Sequence, residues 1–230
     1  MNKLIIVGAS GHGKVIADIA VKLGYENIVF LDDDAAIKEC AGFPVVGKTD
    51  EAINMDGDKV VAIGNARIRE RISKNIKTVS LIHPDASISR RVKIGEGTVV
   101  MAGAIINSDT VIGDGCIINT GASVDHDCLI DNYCHVAVGA HIAGTCHIGE
   151  KTWIGAGATV SNNIDICQET VIGAGTVVVK SIEKQGTYIG VPAEDIKMKK
   201  ERMFCEGGVT LYNKHRRGYA WKHSNRRRAS

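Results

Sequence analysis

The sequence predicts a small Rossmann-like α/β domain followed by a parallel β-solenoid, and three observations carry that prediction. Residues 1–80 alternate short apolar strands with helical segments. From Ile88 to Val178 an Ile or Val returns every six residues, sixteen times without a slip. Two residues before each aliphatic stands a small or slender residue, from Ala86 to Thr176, with Ile164 the bulky exception.

The elements follow in order. "KLIIVG" reads as a buried strand entering a glycine turn, and "HGKVIADIAVKLG" as an amphipathic helix closed by Gly24. "NIVFLDD" and "KVVAIGN" are further strands, "ARIRERISKNI" is a polar helix, and "TVSLIHP" closes the segment. Strands separated by helices imply a parallel sheet, which assigns residues 1–82 to an α/β domain.

The hexads assign residues 83–182 to the solenoid. Two inward positions in six fit neither a helix nor an ordinary strand, but they suit a triangular coil of three strands and three corners. Sixteen hexads give five and a third coils, a prism about 25 Å long if rungs stack at strand spacing. Cys116, Cys128, Cys134 and Cys146 all occupy the small inward slot. They are expected to be packing groups there, since their spacing lacks the CxxC of a zinc site. No metal is expected. After Val178 the repeat stops, and Pro192 is expected to open onto a short charged helix, making residues 183–200 a cap for the solenoid end.

Composition narrows the classes. Aromatics are only 4% of the chain and its net charge is +2. Residues 201–230 hold eight Lys/Arg against two acidic residues, so this tail is basic and the rest mildly acidic. The tail is expected to be a loosely ordered terminus rather than a nucleic-acid contact. No apolar run approaches the ~20 residues of a membrane span. The opening strand does not read as an export signal, so a cytoplasmic protein with reduced thiols is expected.

Unbroken hexads ending in "GVPA" resemble the left-handed parallel β-helix acyltransferases of the hexapeptide-repeat class. With "GASGHGKV", "FLDD", "AIGN" and the His126–Asp127 pair, residues 1–197 resemble the NeuD/PglD family of bacterial sugar acetyltransferases. The resemblance implies a homotrimer with active sites between neighbouring prisms. It implies a nucleotide sugar held by the α/β domain and acetyl-CoA as co-substrate along the groove between prisms.

Site residues follow from the same match. "DHD" at 125–127 interrupts a repeat built for packing. An imidazole there suits a general base, because a reactive thioester needs only an oriented, deprotonated acceptor. The resemblance makes His126 that base and Asp127 the carboxylate that orients it, with Asp125 the alternative partner; the bland reading is a solvated corner. It places His135, Gly144, Ala156 and Ala174 against acetyl-CoA, the Gly144 N–H facing the thioester as an oxyanion donor. It places Ser10, Gly11, His12, Asp32, Asp33 and Gly64 against the nucleotide sugar. Taken alone, "GASGHG" is equally compatible with an empty tight turn, and its GxxGxG spacing argues against a dinucleotide site. His141 and His147 are expected on the surface. The leading expectation is acetyl transfer to the 4-amino group of a UDP-linked 4-amino-6-deoxy sugar. The alternatives are O-acetylation of sialic acid or another polysaccharide sugar, and a non-catalytic scaffold with a basic tail.

Overall fold

The computed structural model describes residues 3–198; the basic tail 201–230 lies outside them. Five strands open the chain: β1 (Lys3–Val7), β2 (Asn27–Leu31), β3 (Glu39–Cys40), β4 (Phe43–Gly47) and β5 (Asp58–Val61), in sheet order β3-β4-β2-β1-β5. All pair in parallel except the β3–β4 hairpin, an element the sequence reading left unassigned. Strand β1 is apolar throughout because both its faces are covered. Leu4 and Ile6 pack with Ile16 and Ala20 of helix α1 (Gly11–Lys22), while Ile5 and Val7 meet Ala52 and Ile72 on the other side. Gly24, at φ 84°, closes α1 as expected from a residue without a Cβ. Helix α2 spans Ala66–Ser73, and Asn65 caps it by accepting from the Ile68 N–H at 3.1 Å.

"TVSLIHP" does not close the α/β segment. Leu81–Ile82 pair in parallel with Val99–Val100, so these residues form the first rung of the solenoid. Leu81, Val99, Met101 and Ile117 sit in one apolar cluster with α1 and β1. The α/β domain and the solenoid thus share a packed seam, and residues up to Ile196 form one compact unit.

In the solenoid each two-residue strand pairs with the strand eighteen residues on, as Ile105↔Ser123 and Ile117↔His135 show. Three faces result. The first runs from Ser87–Ile88 to Val177–Val178, the second from Lys93–Ile94 to Asp165–Ile166. The third begins at Leu81–Ile82 and continues past Val171–Ile172 to Thr187–Ile189. The inward aliphatic of every hexad from Val100 to Val178 is buried, while Ile88 and Ile94 are partly buried where the prism begins. Each buried Ile or Val contributes about 1.5–3 kcal/mol, so the rungs share the stabilisation evenly.

The small slot does more than save space. Thr98 and Thr110 donate their hydroxyls to the carbonyls of Gly113 and Asp125, fifteen residues on, at 2.7 and 2.6 Å. Cys116 and Cys134 donate Sγ–H to Asp131 and Gly149 in the same geometry, at 3.1 and 3.2 Å. The cysteines are therefore buried thiols that reproduce the threonine bond, and burial holds the Cys134 thiol well above its ordinary pKa.

The end of the prism departs from expectation. After Pro192 the chain does not enter a helix directly: Glu194–Asp195 return antiparallel to Thr187–Ile189, and helical backbone begins only at Ile196.

Candidate active site

His126 stands at the corner between the first and second faces, between strands Ser123–Val124 and Leu129–Ile130. Its ring is 56% exposed, and its Nδ1 lies 2.8 Å from Asp127 Oδ2. Asp127 reaches the ring from a left-handed backbone, φ 56°. That geometry belongs to the corner rather than to the site, since Asp109, Thr145 and Asn163 repeat it one rung away in turn. Asp125 is not the ring's partner: its Oδ1 accepts from the His126 backbone N–H at 2.8 Å and from Asn107 Nδ2 at 2.7 Å. Asp127 accepting at Nδ1 leaves Nε2 with the free lone pair. The hydrogen bond to Asp127, joined by the charges of Asp125 and Asp127, raises the His126 pKa above the ordinary imidazole value.

Gly144 lies one coil above His126 at the same corner. A Cβ built on it would stand 2.6 Å from both Cε1 and Nε2 of His126, so the ring rests against a position that only glycine leaves open. Its N–H makes no hydrogen bond within the described chain, whereas the Thr145 N–H is bound to the His126 carbonyl at 2.9 Å.

The other expected residues lie elsewhere. Ala156 and Ala174 are exposed at the corner between the third and first faces. His135 projects from the third face, half-buried and within electrostatic reach of Arg69 and His12 of the α/β domain. Its ring stacks on Trp153, with centroids 5.5 Å apart and planes 8° from parallel, and its Nε2 is 3.1 Å from Asn119 Nδ2. Burial, with the charge of Arg69 and the presence of His12, lowers its pKa to about 3. Burial and Arg69 lower that of His12 to about 4, and His12 Nε2 is a buried nitrogen without a hydrogen-bond partner. One chain therefore brings His126, Asp127 and Gly144 together, and separately brings His12 and His135 to the seam. It does not bring the two groups to one place.

In the glycine loop, Ser10 precedes α1 without a side-chain cap, and Gly11 has open space where a Cβ would stand. Gly13 is packed so tightly against the Gly8 carbonyl and Phe30 that a side chain there has no room. Asp32 supports this loop, accepting from the Ala9 N–H at 2.7 Å. Asp33 turns to Thr49 instead, accepting from its N–H at 3.0 Å and its hydroxyl at 2.8 Å. Gly64 has an open Cα and gives its carbonyl to Arg69. His141 and His147 point outward, to Ser123 Oγ at 2.8 Å and Asp131 Oδ2 at 3.0 Å.

Sequence reasoning missed three residues around the seam: Arg69, Asn119 and Trp153. Nothing in "ARIRERIS" marks which arginine turns inward. Trp153 carries a signal, since it stands in register with His135 eighteen residues on, whereas Asn119 lies two residues past the in-register Ile117 and carries none. Among the described residues, no group of three or more His, Cys, Asp or Glu side chains is placed to hold a metal. No helix there is long and apolar enough to cross a membrane.

The chain is similar in sequence and fold to known proteins. Residues 3–76 match the family model described as the PglD N-terminal domain. A curated relative, the UDP-N-acetylbacillosamine N-acetyltransferase of Bacillus subtilis, is 36% identical over 113 residues, 44% of this chain. The match spans 52%, about half, of that relative's length. The acetyltransferase domain of PglB from Neisseria gonorrhoeae superposes with TM-score 0.82 at 43% identity, covering 85% of this chain and 100% of that one. It has also been solved in complex with acetyl coenzyme A. PerB from Caulobacter crescentus, solved with CoA and GDP-perosamine, superposes with TM-score 0.80 at 36% identity, over 85% and 97% of the two chains.

Proposed function

The chain belongs to the NeuD/PglD-type family of bacterial sugar acetyltransferases, and from that premise we propose that it moves acetyl from acetyl-CoA to the 4-amino group of a UDP-linked 4-amino-6-deoxy sugar. The observation that carries the reading is the His126–Asp127 pair lying over Gly144 at an open corner. A tertiary network for a solvated corner needs no such arrangement, and a non-catalytic scaffold has no use for it.

The chemistry follows from the placement. Asp127 fixes the tautomer in which Nε2 accepts a proton from the sugar amine as nitrogen attacks the thioester carbonyl. Negative charge then collects on the carbonyl oxygen, and the Gly144 N–H, without a partner of its own, is the donor available to it. Collapse of the tetrahedral intermediate breaks the C–S bond. The imidazolium returns its proton to the departing CoA thiolate, and His126 ends neutral. An amine acceptor is supported by the names of the relatives, both of which are N-acetyltransferases of nucleotide-linked or amino sugars. A UDP carrier is supported by the curated relative, and the GDP sugar bound by PerB makes the nucleotide a variable to test.

The site is proposed to form between copies of the chain, as a homotrimer. Two observations support this. His126 and the His12–His135 seam lie on different parts of one prism. Both faces flanking His126 also expose aliphatic side chains: Ile105, 44% exposed, on the first, and Val111 and Leu129, 36% and 42% exposed, on the second. Head-to-tail contacts closing on themselves would give three equivalent sites. Both proposed co-substrates are cytoplasmic metabolites, which supports a cytoplasmic location.

The test is to incubate the protein with acetyl-CoA and a panel of UDP- and GDP-linked amino and hydroxy sugars, measuring free thiol and acetylated product. Thiol release with amine-bearing UDP sugars is expected. Release only with hydroxyl acceptors would overturn N-acetylation, and release only with GDP sugars would overturn the UDP assignment.

A further inference from the structure

Arg69 is 1% exposed and is among the largest fully buried side chains described. It lies in the middle of α2, and no carboxylate among the described residues forms an ion pair with it. Its guanidinium instead donates to four main-chain carbonyls. Nη1 reaches Ile63 and Gly64 at 2.8 and 2.9 Å, both in the loop between β5 and α2. Nε reaches Gly115 at 2.6 Å and Nη2 reaches Tyr133 at 2.7 Å, both at the solenoid corner between the second and third faces. Two of the four acceptors thus belong to the α/β domain and two to successive rungs of the prism.

Burying an unpaired cation is costly, and burial accordingly lowers the Arg69 pKa. An apolar side chain of similar volume would fill the space without that cost. What it would not do is fix a loop relative to two rungs. Four directed bonds from one rigid planar fork leave little freedom in the relative position of their acceptors, and a lysine, with three donors on a single nitrogen, cannot span the same set. The neighbouring links of α2 are weaker candidates for this work. Arg67 pairs with Glu169 at 2.7 Å from a side chain 74% exposed, and exposed pairs contribute little. Lys151 meets Glu70 at 3.2 Å, a single-point contact.

The two ends of this fork are informative. Gly64 lies in the loop proposed to touch the nucleotide sugar, with open space at its Cα. Tyr133 is two residues before His135, whose ring shares the seam with His12. We infer that Arg69 is a positioning residue: by clamping the Ile63–Gly64 loop to the rungs at Gly115 and Tyr133, it sets where the nucleotide sugar lies relative to the third face of the solenoid. The inference rests on the proposed nucleotide-sugar site for its functional half, and on geometry alone for the clamp. The same charge, next to burial, favours the neutral forms of His12 and His135. The unpartnered His12 Nε2 is then free to accept or donate, according to tautomer, toward a ligand in the seam.

The test uses the full chain with Arg69→Lys and Arg69→Met, measured in two ways. Amide hydrogen exchange reads the clamp without any substrate. Residues 62–66 and 133–135 should lose protection in both variants, while the rungs from Trp153 to Val178 keep theirs. Kinetics reads the consequence: KM for the nucleotide amino sugar should rise about tenfold or more, the scale of a single charged hydrogen bond, while KM for acetyl-CoA stays unchanged. A merely structural role would lower the active fraction, reducing kcat with both KM values intact, and that result would overturn the positioning role. Unchanged exchange at residues 62–66 and 133–135 in folded Arg69→Met would overturn the clamp itself. If the wild-type chain acetylates no nucleotide sugar, the proposed function fails, while the exchange measurement still decides the clamp.

Discussion

Replacing Gly144 with Ala isolates the geometry of the proposed base. The added Cβ would stand 2.6 Å from His126 Cε1 and Nε2. Ordinary carbon contacts lie at about 3.5–4.0 Å, so the two groups must separate by roughly 1 Å. The backbone has little room to yield, because the corner is tied above and below: Thr145 N–H to the His126 carbonyl at 2.9 Å, and Asn163 N–H to the Gly144 carbonyl at 3.1 Å. The imidazole is the movable partner, being more than half exposed and held by Asp127 alone. It should swing outward at small cost in stability, below about 1 kcal/mol for a half-exposed ring. A catalytic group displaced by ~1 Å typically costs about 10²-fold in rate. The assay is thiol release from acetyl-CoA under saturating acceptor, with the thermal midpoint measured on the same preparation. Expected are a midpoint within a few degrees of wild type and turnover reduced about a hundredfold. The double variant Gly144→Ala/His126→Ala should be no slower than His126→Ala alone, because the methyl acts through the ring it displaces. Wild-type turnover in folded Gly144→Ala would refute the argument, and additive losses in the double variant would show that Gly144 acts independently of His126.

Other outcomes follow from the same contacts. His126→Ala should lower turnover by ~10²–10⁴ with KM for acetyl-CoA nearly unchanged, measured by the same assay. Because Asp127 raises the His126 pKa and only the neutral imidazole accepts a proton, activity should climb as pH rises through that value; Asp127→Asn should move this acid limb of kcat/KM to lower pH, and a limb that stays in place would contradict the pairing. Cys128 and Cys134 should react with thiol reagents only after denaturation, and Cys134→Ala should cost about 1 kcal/mol in denaturant melts through a small cavity and a lost thiol–carbonyl bond. Mixing inactive His126→Ala and His135→Ala chains should restore partial activity if one site draws on two chains, and a mixture that stays inactive despite verified subunit exchange would place both in one chain's site.

Most of the architecture is legible in the sequence because a solenoid is specified locally. Each hexad carries its own inward aliphatic and its own small slot, and a rung eighteen residues away differs from its neighbour only by translation. That is why the inward set from Ile88 to Val178, the burial of Cys116, Cys128, Cys134 and Cys146, and the corner position of His126 are all readable from spacing. The glycine loop and α1 are likewise local, marked by the strand, the turn residues and Gly24. Three things are not local. Whether Leu81 ends one domain or starts another depends on which strand it meets, and both alternatives suit the same apolar dipeptide. Which of Asp125 and Asp127 holds the His126 ring depends on the left-handed turn at 127, which aims one carboxylate at Nδ1 while Asn107 and the main chain take the other. Which of Arg67, Arg69 and Arg71 faces inward depends on how α2 lies along the prism; the helix repeat alone leaves them equivalent, and only the carbonyls of Gly115 and Tyr133, 46 and 64 residues distant, select Arg69. Periodicity fixes what a residue does within its rung, and the packing of one rung or domain against another fixes the rest.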